Sequence, residues 1–116
     1  MRREAQGPRG RTGLGRSGRF VSRLSMTTLT PVQIETELRA VPRWSQQGQA
    51  IARTFQFKDF VAAIAFVNQV AALAEGAWHH PDIDVRWNAV TLTLTTHDAG
   101  GLTERDFSLA ASIDAL

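Results

Sequence analysis

From Asp82 to Thr95 the chain alternates side chains of opposite character. Ile83, Val85 and Trp87 alternate with Asp82, Asp84 and Arg86. After Asn88-Ala89, Val90, Leu92 and Leu94 alternate with Thr91, Thr93 and Thr95. A period of two belongs to a strand with one buried and one wet face, and a helix cannot satisfy it. Two such runs in tandem predict an antiparallel hairpin turning at Asn88-Ala89, with Pro81–Trp87 paired to Val90–Thr96. That pairing brings His80 and His97 to the same end of the hairpin.

Helical signals surround the hairpin. Thr30-Pro31-Val32-Gln33 combines a cap, a proline suited to the first helical position and a glutamine that closes a capping box. Ile34, Leu38 and Val41 then recur at helical spacing, and Pro42 ends the segment. Trp44–Gln49 and Ala50–Phe57 read as two strands, with Gly48 suited to the turn between them. Asp59 caps a long apolar segment through about Glu75, in which Phe60, Ile64, Val67, Ala71 and Ala74 define the expected buried face. Gly76 suits its end. Gly100-Gly101 breaks the chain before Thr103, which caps a last helix offering Leu109, Ala110 and Ile113 for packing. The order is α-β-β-α-β-β-α. It predicts an α+β domain: one four-stranded antiparallel sheet with three helices on one face.

Charge divides the chain at about residue 25. Residues 1–25 hold seven arginines and one acid, a balance of +6; residues 26–116 hold six basic and ten acidic side chains, a balance of −4. The first segment is poor in apolar residues and is expected to be disordered. It admits three readings: an arm for anionic polymers, a transit peptide, or a segment preceding a true start at Met26. The abrupt change of composition at Met26 favours the third. An acidic domain has no electrostatic reason to bind nucleic acid. The absence of cysteine excludes disulfides and thiolate metal sites and suits a cytoplasmic, reducing compartment. No apolar run reaches the roughly 20 residues of a membrane span, so residues 60–74 are expected to form a core helix and no membrane partner is expected.

All three histidines lie within nineteen residues: His79, His80 and His97. Imidazole, with an ordinary pKa of about 6.5, gives and takes protons near neutrality. Convergence at one hairpin end, near Glu75, Asp98 and Asp106, points to acid–base chemistry more than to scattered surface residues. Three imidazoles could also ligate zinc. Adjacent histidines in extended backbone point to opposite sides, however, which argues against both reaching one ion. Asp106, three residues after Thr103, is also placed to complete a capping box. Trp44, Trp78 and Trp87 are each ambiguous between a core side chain and a platform for a flat ring.

The run Glu75-Gly76-Ala77-Trp78-His79-His80-Pro81, followed by Trp87, His97 and Asp106, resembles the signature of the pterin-4a-carbinolamine dehydratases. Thr95-Thr96-His97-Asp98 and Gly101-Leu102-Thr103-Glu104-Arg105-Asp106 extend the likeness, which runs from about Leu29 to Leu116. The resemblance implies a dehydratase that removes water from a 4a-hydroxytetrahydropterin and needs no metal or organic cofactor. It implies a homodimer or homotetramer, with a pterin-dependent aromatic amino acid hydroxylase upstream. By motif position, His79, His80, His97 and Asp106 form the catalytic set, and Glu75, Trp44, Pro81, Trp87 and Thr96 the substrate contacts. The rival expectation is a non-catalytic binding module that serves as a dimerisation cofactor or assembly factor for another protein.

Overall fold

A computed structural model describes residues 27–116, so the expectations for residues 1–25 lie outside the described residues. The elements are α1 (Pro31–Ala40), β1 (Ser45–Gln47), β2 (Ala50–Gln56), α2 (Phe60–Ala77), β3 (Asp82–Arg86), β4 (Ala89–Leu94), a 3-10 turn (His97–Ala99) and α3 (Glu104–Asp114). The strands form one antiparallel sheet in the order β1-β2-β4-β3, so the expected α+β class and element order hold.

Local chemistry starts each helix where the sequence places it. Thr30 and Gln33 close a capping box on α1, and the Asp59 carboxylate accepts from the Ala62 N–H. Thr103 and Asp106 close a second capping box on α3. Each cap satisfies backbone donors that have no partner inside the helix.

The register fixes which side chains meet the helices. Ile51 lies opposite Leu94, Arg53 opposite Leu92 and Phe55 opposite Val90, while Val85 faces Val90 across β3. These share one face, and Ile51, Val90, Leu92 and Leu94 are fully buried beneath Ala63, Phe66 and Val70 of α2 and Leu109, Ala110 and Ile113 of α3. The other face carries Thr54 and Thr91, whose hydroxyls meet at 2.8 Å, together with Asp82 and Asp84. Trp44 precedes β1 instead of belonging to it. Its indole is 3 % exposed, packs edge-on against Phe55 and donates to Asp114 at 2.8 Å.

Two details differ from expectation. The β3–β4 turn is Trp87-Asn88, with Trp87 at φ 54, and Asp82 pairs with Thr93. The turn keeps two residues but lies one position earlier than expected, so each β3 residue pairs with a β4 residue two positions earlier in the chain. A two-residue connection requires positive φ, and Trp87 adopts it.

The second difference concerns the buried face of α2, formed by Ala63, Phe66, Val70 and Ala74. Of the expected set, Ala74 is buried, but Phe60 is 51 % exposed and Ala71 is also exposed. The helix is apolar nearly all round, so periodicity alone does not choose a face. Phe66 makes the choice by packing its ring 4.6 Å from Phe55 and 5.0 Å from Phe57. Alanine at 63 lets the backbone approach the sheet. By length and composition this 18-residue helix could also cross a bilayer, but here it is docked on the sheet through those four residues.

Phe66→Ala should therefore cost about 3–5 kcal/mol in chemical denaturation. A loss below about 1 kcal/mol would mean that α2 docks through another face.

Candidate active site

The three histidines come from two segments of the chain. An αL residue, Trp78 (φ 52, ψ 41), ends α2 and turns the chain sharply toward β3. His79 and His80 follow at once, with the His79 N–H bonded to the Ala74 carbonyl at 3.1 Å. His97 opens the 3-10 turn after β4. That turn closes through Gly100 in αL and a bridge between Thr96 and Gly101. Trp78, His79, His80, Thr95, Thr96, His97, Asp98 and Arg105 together line an open cleft of ≈ 230 Å³.

Behind the cleft lies the most constrained polar group of the domain. Asp106 is wholly buried, and a buried carboxylate is costly unless donors surround it. Its Oδ1 meets His79 Nε2 at 2.6 Å. Its Oδ2 accepts from the Thr96 hydroxyl and from the Thr103 N–H, each at 2.9 Å. Thr96 has spent its only proton on Asp106. The 2.8 Å contact between the Thr96 and Thr103 hydroxyls must then be donated by Thr103. The chain of donation runs Thr103 to Thr96 to Asp106, so the carboxylate is held as an acceptor. His79 accordingly donates Nε2–H, and in the neutral ring Nδ1 is then the lone-pair acceptor.

His80 has a separate carboxylate. Its Nε2 lies 2.7 Å from Glu75 Oε1, on the last turns of α2, and both side chains are largely exposed. The two adjacent imidazoles are thus turned to different partners, one in the core and one in solvent. Among the described residues no group of three or more histidine and acid side chains is arranged to hold a metal ion.

The expected site residues divide in two. His79, His80, His97 and Thr96 line the cleft; Asp106 supports His79, Glu75 contacts His80 and Pro81 continues the connector into β3. Trp44 and Trp87 are not brought there. Trp44 is a core residue bonded to Asp114, and Trp87 sits at the turn, the opposite end of the hairpin from the histidines. The sequence reading did not assign Trp78, Arg105 or Thr103 to the site. Arg105 sits in the first turn of α3, and its guanidinium donates to the Trp78 carbonyl. The spacing Thr103-x-Arg105-Asp106 carried the signal, since the start of one helix grips the chain on both sides of the Trp78–His79 bond. A larger cavity of ≈ 290 Å³ opens between α2 and α3 on the other side of His79, but it meets only that one imidazole.

A four-stranded antiparallel sheet with helices on one face, carrying a histidine cleft backed by a buried aspartate, defines the class: a small α+β domain with its polar site at one end of a hairpin. The model of the pterin 4 alpha carbinolamine dehydratase family matches residues 27–116, and the chain belongs to that family. A relative from Acidobacterium capsulatum, provisionally named a pterin-4-alpha-carbinolamine dehydratase, is 63% identical over 91 residues, covering 78% of this chain and 99% of its own. The crystal structure of a transcriptional coactivator/pterin dehydratase from Brucella melitensis superposes with a TM-score of 0.74 at 38% identity, covering 77% of this chain and 97% of that one. A pterin dehydratase-like protein identified as a RuBisCO assembly factor in the alpha-carboxysome is more distant. Its TM-score is 0.52 at 28% identity, covering 63% of this chain and 84% of that one.

Asp106→Ala would leave the Thr96 hydroxyl, the Thr103 N–H and His79 Nε2 without their buried acceptor. The expected loss of stability is about 3 kcal/mol or more, read by urea denaturation. Asp106→Asn, which keeps one acceptor oxygen, should lose less.

Proposed function

We propose that this protein is a hydro-lyase that dehydrates 4a-hydroxytetrahydropterin to quinonoid dihydropterin. The observation that carries the reading is the oriented pair of His79 and Asp106, set at the wall of a cleft that two further imidazoles share. Membership of the family supplies the substrate class.

The reaction breaks the C4a–O bond. The N5 lone pair forms the new N5=C4a double bond, N5 gives up its proton, and the hydroxyl leaves with a proton as water. One group must therefore accept a proton while another donates one. His79, with Nε2–H held by Asp106, offers Nδ1 as the base. His80, partnered by Glu75, is the better placed donor, because its exposed ring can exchange protons with solvent between turnovers. His97 supplies a hydrogen bond to the ring. Thr96 acts through Asp106, keeping the carboxylate aligned. The chemistry uses no metal or organic cofactor. It fits recycling of a tetrahydropterin downstream of a pterin-dependent hydroxylase, in a cytoplasmic, reducing compartment, by a dimer or tetramer.

A second reading rests on the outer face of α2, where Phe60, Val61 and Ile64 form an apolar groove with Asn68. Two structural relatives are described as a coactivator and as an assembly factor. A binding module would use such a face and would not need turnover.

The test is the decay of chemically generated 4a-hydroxytetrahydropterin, followed by absorbance. His79→Ala and His80→Ala should each slow the catalysed decay by about 10²-fold or more. Asp106→Asn should lower kcat with little change in KM, because it hands an N–H to His79 Nε2 and moves the ring proton to Nδ1. A double histidine variant with wild-type rates would end the catalytic reading. Capture of a specific partner by a wild-type protein without turnover would replace it with the binding module.

A further inference from the structure

We propose that Trp78 is the stacking wall of the cleft and a specificity-determining residue for a flat bicyclic heterocycle. The inference rests on the pterin reading of the same cleft and adds the group that recognises the ring face.

Three observations converge on this residue. First, its backbone is left-handed, at φ 52 and ψ 41. A helix end in αL is ordinarily glycine or asparagine, because a Cβ is crowded there. A bulky aromatic in that conformation is an outlier of the kind that collects at functional sites. Trp87 is also left-handed, and its two-residue hairpin demands positive φ. At the end of α2 the paired bonds from the Trp78 N–H to the Glu75 carbonyl and from the His79 N–H to the Ala74 carbonyl likewise require αL at position 78, and a tryptophan stands there where glycine would be at ease.

Second, the indole is 77 % exposed while lining the cleft that holds all three imidazoles. It therefore adds little to the core, and its large face remains available beside the reacting groups. Stacking against a heterocycle would bury that face.

Third, the backbone that carries the indole is fixed. The Trp78 N–H bonds the Glu75 carbonyl at 3.2 Å, and its own carbonyl accepts from Arg105. The next residue, His79, is tied to Ala74 through its N–H and to Asp106 through its ring. Only the side-chain torsions of Trp78 are free. A platform on a rigid backbone costs little entropy when a ligand orders it. Arg105 acts as the positioning residue, since it grips the carbonyl joining the platform to the catalytic imidazole.

Hydrogen-bonding groups in the cleft read the edge of a substrate, and an aromatic wall reads its face. The wall contacts substrate and transition state alike, so its removal should raise KM and spare kcat. Trp78→Ala should raise KM by at least about fivefold, with kcat within about twofold of wild type. Trp78→Phe, which keeps a ring, should restore most of the KM. Trp78→Gly should fold with a higher Tm, because glycine is at ease in αL, and should still show the raised KM. Binding of 7,8-dihydropterin, a flat analogue that cannot lose water, should quench tryptophan fluorescence in the wild type and much less in Trp78→Phe. Unchanged KM in Trp78→Ala, a fall in kcat alone, or equal quenching in the two proteins would each overturn the proposal. The two readings fail separately: quenching through Trp78 without turnover would sink the dehydratase and leave the wall standing. Turnover indifferent to Trp78 would do the reverse, and absence of both would remove both.

Discussion

The buried carboxylate of Asp106 joins three separate parts of the chain. It receives His79 from the α2–β3 connector, Thr96 from the end of β4 and the N–H of Thr103 at the start of α3. Desolvating a carboxylate costs several kcal/mol, and only a full set of donors offsets it. That cost makes the arrangement specific: a structure that misplaced any one of these three segments would leave the charge short of a donor. The partial positive charge at the start of α3 adds to the same balance. Folding and orientation of the imidazole therefore share one interaction.

The parts of the fold that local chemistry decides were legible in the sequence. Thr30, Asp59 and Thr103 each start a helix for a reason contained within four residues. The alternation from Asp82 to Thr95 fixes a hairpin because only a strand presents a period of two. The face of α2 was not legible in the same way. Its residues are apolar on nearly every side, and its orientation was decided by aromatic contacts with Phe55 and Phe57, eleven and nine residues before Phe66 in sequence. The hairpin register depended on whether Trp87 would take a positive φ, which a tryptophan seldom does.

The site was legible to a similar degree and for similar reasons. Three histidines could be gathered by counting along a hairpin, because strand pairing is a linear relation between residue numbers. Aromatic roles could not be counted. Trp44 and Trp78 were both ambiguous between core and platform, the resemblance favoured Trp44, and the structure separates them by tertiary packing. Asp114, seventy residues from Trp44, supplies the acceptor that holds the first indole in the core. Arg105, twenty-seven residues from Trp78, supplies the donor to the backbone that presents the second.

A buried acid that both caps a helix and orients a histidine explains why this much function fits in a small domain. The capping box at Thr103 would form with any good acceptor at position 106, and most such boxes lie in solvent. Here β4 and its following turn cover the box, so the same carboxylate faces inward and has an oxygen left for an imidazole. Thr96 and Thr103 then direct their protons along one line toward Asp106, which leaves His79 only the donor role at Nε2. The Nε2 donor role of His79 thus follows from two threonine hydroxyls aligned behind it. The chemistry of the imidazole is set from behind, by the start of a helix, while its front stays open to the cleft.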